Sequence, residues 1–274
     1  MSNWNGTAYH LDATDVEMCM RSLMTSKFIS SRKEYLGRLL LETNIAVSES
    51  TVINACAGRI PDELVKTQIP SDEGQAAHFI PKRYQIIINE GILNWLSALA
   101  CVVAVLDKTG STRRAKEMLK WMKNSQIDGE VGTDFLLRLQ DKFKLKSDSV
   151  MVELCSMYAR SMLYSVIAHE CGHICLGHLG SVGYLENNSI SRNDERQADT
   201  FMSSAVQSTC MGAQGAIGAI FTFIGFKYIG TKKGNGNLFS THPISDYRIE
   251  MLLQDFAAML MVSHISKNQI KALV

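Results

Sequence analysis

The sequence predicts an α+β fold that is mostly helical, with a small β-sheet in its N-terminal part and a long helix ending in a pair of histidines. Three observations carry this expectation. Apolar residues recur at helical spacing over most of the chain, as in Leu11, Val16, Met20, Leu23, Met24 and Phe28. Three prolines, Pro61, Pro70 and Pro81, fall between residues 51 and 89 together with β-rich pieces. An apolar helical run from Tyr158 to Ala168 leads straight into His169-Glu170-Cys171-Gly172-His173.

Taken in order, the first forty-odd residues read as helix, with Asp12 or Thr14 as its cap. Thr51–Cys56 and Arg83–Asn89 read as strands of a sheet with two to four members, and residues 51–89 are the only plausible sheet region. Beyond Glu90 the helical period returns, placing helices at Ile92–Leu106, Thr112–Asn124, Asp148–Leu179, Asn193–Cys210, Ala213–Tyr228 and Pro243–Ser266. Polar stretches at 127–134, 180–191 and 230–237 are expected to be loops, the last of them mobile. No internal repeat or linker is visible. Residues 1–274 are therefore read as a single domain, with a helical and β subregion over 1–90 and a helical core over 91–274.

Lys plus Arg number 28 against 27 Asp plus Glu, a formal charge of +1. Nucleic-acid binders concentrate a basic excess, so no such partner is expected. A composition of 46% hydrophobic and 20% charged residues excludes a mainly disordered chain. The seven cysteines include no CxxC pair and are odd in number, which argues against a disulfide framework and for a reducing compartment. Residues 1–10 lack the basic and apolar regions of a secretory signal. A cytoplasmic location is expected. Two apolar runs approach the roughly 20 residues of a membrane span. Ile92–Leu106 is too short, and Met211–Ile229 is interrupted by Gln214, Thr222, Lys227 and several glycines. Both are read as core helices, with no membrane span.

The chemistry concentrates in HExxH at His169–His173. Two histidines four residues apart share one helix face and can reach one metal, while Glu170 projects toward a water on it. Chance placement of this chain's His and Glu residues yields only ~0.01 such motifs. A catalytic zinc keeps three protein ligands and an open position. The extended pattern HExxHxxGxxH fails, since Leu176 and Leu179 stand where Gly and His are required. Glu195, on a second helix that can return antiparallel, is the best third ligand, and Asp199 one turn on is placed to accept from a ligating imidazole. Cys171 and Cys175 point away from that face, and His10, His78 and His264 are isolated. Thr241-His242-Pro243 precedes a helix containing Arg248, Pro243 being suited to its first turn.

The ordered set HExxH, a further His178, Glu195 to Asp199 as ExxAD, and Thr241-His242-Pro243 with downstream Arg248 resembles the gluzincin metallopeptidases, and most closely the phage-exclusion peptidases of the Lit type. A similar set occurs in the membrane-embedded CAAX-type peptidases, whose apolar spans are lacking here. The motifs cover Tyr158 to Glu250, and a weaker likeness reaches back through residues 92–124. The resemblance implies a gluzincin-like domain in which His169, His173 and Glu195 hold Zn2+ and Glu170 is the base. It further implies that Asp199 orients a ligand and that His242 approaches the substrate carbonyl. It points to elongation factor Tu as the protein substrate, a phage-derived peptide as activator, and antiviral defence as the role.

The expected reaction is peptide hydrolysis: Glu170 takes the proton of the attacking water and returns it to the leaving amine. His242, with Arg248 or a Tyr in reserve, would donate to the developing oxyanion. Strand Tyr84–Asn89 is either a sheet edge beside the metal helix, able to pair with an extended substrate, or an interior strand. Two other readings compete: an idle zinc sensor or binding module, and a membrane-associated CAAX-like peptidase.

Overall fold

The computed structural model describes residues 9–31, 34–68, 70, 79–127, 129–145, 148–179, 192–229 and 246–274. Helix α1 (Ala13–Met24) begins at a capping box, in which the Asp12 side chain accepts from the N–H groups of Thr14 and Asp15 and the Asp15 carboxylate accepts from Asp12 N–H. Helices α2 (Lys27–Ser30) and α3 (Glu34–Leu41) follow, so the helical N-terminus is broken into three pieces. Strand β1 (Thr43–Ser48) comes next, outside the region where local pattern places the sheet. It pairs in parallel with a distant segment, and that partner rather than any local period makes it a strand.

Strand β2 (Ala55–Arg59), helix α4 (Asp62–Thr67) and strand β3 (Tyr84–Asn89) complete a three-stranded sheet of order β1-β3-β2. β3 is thus the interior strand, parallel to β1 and antiparallel to β2, with Ile86 and Ile88 fully buried. Of the two readings left open for Tyr84–Asn89, the interior one holds. The edge beside the long helix belongs to β2.

Then come α5 (Glu90–Thr109), α6 (Thr112–Ser125), α7 (Phe135–Phe143) and α8 (Ser149–Cys175). α8 is the axis of the molecule, packed by α1, α5 and β2 and by α9 (Arg192–Gln207) and α10 (Gly212–Lys227). Being covered nearly all round, α8 shows apolar residues on most faces rather than a stripe. Among the described residues one contiguous hydrophobic core runs from Leu11 to Leu273. The segment expected as one helix to Ser266 divides instead into α11 (Asp246–Asp255) and α12 (Ala257–Leu260), and α13 (Lys267–Lys271) starts afresh at a Ser266 capping box. Short turns let Phe256, Ile265 and Ile270 all reach the core, which one straight helix would not allow.

Among the described residues two helices are long and apolar enough to cross a membrane, Glu90–Thr109 and Ser149–Cys175. Most of each is inside the protein, 89% and 61% of its most apolar window. The apolar run from Met211 forms α10, whose middle is likewise buried. Residues 180–191 and 230–237, expected as loops, lie outside the described residues.

Candidate metal centre

His169, Glu170 and His173 occupy the last two turns of α8, and all three are buried. The four-residue spacing stacks the two imidazoles on one face, their Nε2 atoms 3.1 Å apart and their rings 83° from coplanar. From α9, Glu195 points between them, Oε2 lying 3.4 Å from His169 Nε2 and Oε1 lying 3.5 Å from His173 Nε2. A tetrahedral zinc with bonds of 2.0–2.1 Å has ligand atoms about 3.3–3.4 Å apart. Two imidazole nitrogens and a carboxylate at these separations fit zinc, and they are the described residues that could hold a metal ion.

Glycine makes this approach of helices feasible. A Cβ on Gly172 would lie 3.1 Å from Ala198 Cα, so a side chain between Cys171 and His173 would push α9 outward and withdraw Glu195. Gly172 carries no signal of its own in the sequence, because a glycine inside a helix marks a close approach only once the partner helix is known.

Behind His169, Asp199 Oδ1 stands 3.0 Å from Nδ1, the contact expected from its place one turn after Glu195. Arg248, from α11, binds both carboxylates. Its Nε and Nη2 donate to Asp199 at 2.7 Å each, Nη1 reaches Glu195 Oε2 at 3.0 Å, and the guanidinium lies over the Phe223 ring at 4.7 Å. Arg248 is therefore brought to the site, but it faces the two acids. Burial acts to lower the His169 pKa, yet hydrogen bonds and charge from Asp199 and Glu195 outweigh it and raise the value to about 9. Burial acts to raise the Asp199 pKa, and His169 and Arg248 overcome it, so the carboxyl is held below its ordinary value. Buried acids that draw a proton onto an imidazole describe a pocket short of positive charge, a second feature that suits a cation.

Behind His173, Nδ1 lies 3.0 Å from Nδ1 of His178. Glu170 turns the other way, toward the sheet, where its Oε2 accepts from Ala57 N–H at 2.8 Å. In the antiparallel register Cys56 and Gly58 face β3 with their backbone groups, so Ala55, Ala57 and Arg59 direct theirs to the outer edge of β2, which no strand among the described residues covers. A small apolar cavity adjoins His169 and Glu170, lined by Ile53, Ile92, Val166, Thr222, Phe223 and Phe226. Cys171 and Cys175 turn away into the core as expected, and burial raises both thiols, Cys175 to about 12. Ala57 carries no side-chain signal at all, and only the sheet register identifies it. Thr241, His242 and Pro243 lie outside the described residues.

Residues 179–255 match the sequence model of peptidase family M48. No curated protein and no solved structure is matched. The M48-matched segment contains Glu195, Asp199, His242 and Arg248, while His169, Glu170 and His173 come just before it. The segment that resembles a metallopeptidase family thus supplies the acidic half of the same centre to which α8 supplies the imidazoles.

Proposed function

We propose that this chain is a zinc-dependent endopeptidase, with His169, His173 and Glu195 as the metal ligands and Glu170 as the general base. One observation carries the reading: the HExxH glutamate lies between a His₂Glu donor set and the open edge of a β-strand. The M48 match to residues 179–255 supports it independently. When bound, zinc supplies Lewis-acid polarisation of a carbonyl and a water acidic near pH 7.

The chain's own groups do the rest. Ala57 N–H on Glu170 Oε2 orients the carboxylate, so that the other oxygen, Oε1, takes the water proton and delivers it to the leaving amine. The outward backbone groups of Ala55 and Arg59, with the carbonyl of Ala57, offer an antiparallel ladder to an extended substrate. The apolar cavity receives a side chain beside the scissile bond. His242, in the M48-matched segment, is the proposed donor to the carbonyl oxygen. The substrate is a protein and the site of action is the cytosol. The likeness to Lit-type peptidases makes elongation factor Tu, with a phage-derived activating peptide, the first specific pair to assay.

The test compares wild type with Glu170→Gln. The variant is expected to keep zinc and fold while losing nearly all turnover, read as new protein termini by mass spectrometry after incubation with a bacterial lysate. Equal cleavage by both proteins removes Glu170 as the base, and no cleavage by zinc-loaded wild type favours the idle sensor.

A further inference from the structure

The metal helix ends in a turn that folds a third histidine back onto it. Cys175 is the last helical residue, Leu176 caps the helix, and Gly177 adopts φ +74°. His178 N–H donates to His173 O at 3.0 Å, and Gly177 N–H to Ile174 O at 3.2 Å. These are the paired 6→1 and 5→2 bonds of a Schellman motif, which brings the residue after the left-handed glycine against the helical residue five positions earlier. That contact is commonly apolar. Here it joins two imidazoles, Nδ1 to Nδ1 at 3.0 Å with ring centroids 5.2 Å apart. The His178 side chain is only 5% exposed, and its Nε2 lies 3.3 Å from Gln197 Oε1 and 3.9 Å from Asp194 Oδ1, both on α9.

Two ring nitrogens at hydrogen-bond distance require one donor and one acceptor. His173 turns Nε2 toward His169 and Glu195, so a metal ligated there leaves the His173 proton on Nδ1. His178 Nδ1 is then the acceptor, its own proton sits on Nε2, and Gln197 Oε1 receives it. Both ring N–H groups of the His173–His178–Gln197 relay meet an acceptor in this arrangement.

We propose that His178 is a positioning residue for the metal centre: it accepts the Nδ1 proton of His173, fixing the tautomer and ring angle that aim His173 Nε2 at the metal, and Gln197 fixes His178 in turn. This inference rests on the His₂Glu reading above. The motif logic of two ligand histidines and two acids gives His178 no task, and a residue beyond the end of a helix ordinarily serves its cap alone.

The experiment separates the acceptor from the bulk. His178→Phe fills the space without an acceptor, whereas His178→Asn carries a carbonyl oxygen at the distance from Cβ where histidine carries Nδ1. Zn2+ affinity is measured by competition with a chromogenic chelator, the visible spectrum is recorded with Co2+, and thermal unfolding of each metal-free protein serves as the control for folding. His178→Phe is expected to weaken Zn2+ binding by about 10- to 100-fold and to alter the Co2+ bands, and His178→Asn to restore most of the loss. Wild-type affinity in His178→Phe, or equal losses in both variants, overturns the proposal while leaving the His₂Glu reading intact. A wild-type protein that binds no stoichiometric Zn2+ overturns both. Should His178→Phe fail to fold, ring 15N spectra of the zinc-loaded wild type decide: His178 Nδ1 is expected unprotonated, and a proton found there refutes the arrangement.

Discussion

The two imidazoles that face Glu195 are backed in opposite ways. Behind His169 stand a carboxylate and a guanidinium, Asp199 from α9 and Arg248 from α11, so three separate helices must be in register for that side to exist. Behind His173 stands another imidazole, His178, placed by a single turn of the same helix. One centre is thus oriented by two unlike means. Charge strengthens the hydrogen bond to His169 and raises its basicity, at the cost of burying Asp199, Glu195 and Arg248 together. The local turn costs little, and on the proposal above it aims His173 through a ring contact within one helix end.

The two sides meet at Glu195. Glu195→Ala removes the ligand that both imidazoles face and is expected to abolish stoichiometric zinc, as is His169→Ala, when metal content is measured on the purified protein. Zinc retained at wild-type affinity in Glu195→Ala would mean that another carboxylate closes the site. Next in size is Arg248→Met, which leaves two buried acids without their cation. The metal-free protein should lose about 3–5 kcal/mol, and zinc should recover part of it by supplying positive charge, so the zinc-induced rise in Tm should exceed that of wild type. Equal rises would show that Arg248 does not balance this pocket. Asp199→Asn keeps the shape and one acceptor while removing the charge. A loss of about 10- to 100-fold in zinc affinity is expected, and an unchanged affinity would show that charge behind His169 is dispensable. The smallest effect belongs to the local side. Gly177→Ala meets no neighbouring atom but must hold φ +74°, so thermal unfolding should report a loss of about 1 kcal/mol. Chelator competition should show only a slight weakening of zinc. A severe loss there would mean that the turn matters to the metal more than the charges do.

Much of the centre is legible as text because a helix converts spacing into direction. A spacing of four positions from His169 to His173, and of four from Glu195 to Asp199, puts each pair on one face before any fold is known. The sheet is less so. β3 is a run of isoleucines that any strand rule finds, but β1 is a strand only through its parallel pairing with β3, and pairing at such a distance leaves no local period. The division of the C-terminal segment at Phe256 has the same origin, since the apolar period continues while the core it must reach curves away.

By itself, then, the sequence determined the mostly helical α+β class, the helix that carries the histidines, and the residue types able to hold a metal and move a proton, all of which follow from side-chain chemistry and short-range periodicity. Tertiary structure alone decided that β2 rather than β3 is the free edge and that Ala57 N–H orients Glu170. It also decided that Gly172 admits α9, that Arg248 faces carboxylates, and that His178 returns to His173. All but the last are contacts to backbone groups or between elements far apart along the chain, and the last is a side-chain contact made by the turn that closes α8. Hydrogen bonds of a few ångströms depend on where whole helices and strands come to rest, and that is set by burial of the shared core rather than by any residue's neighbours in sequence.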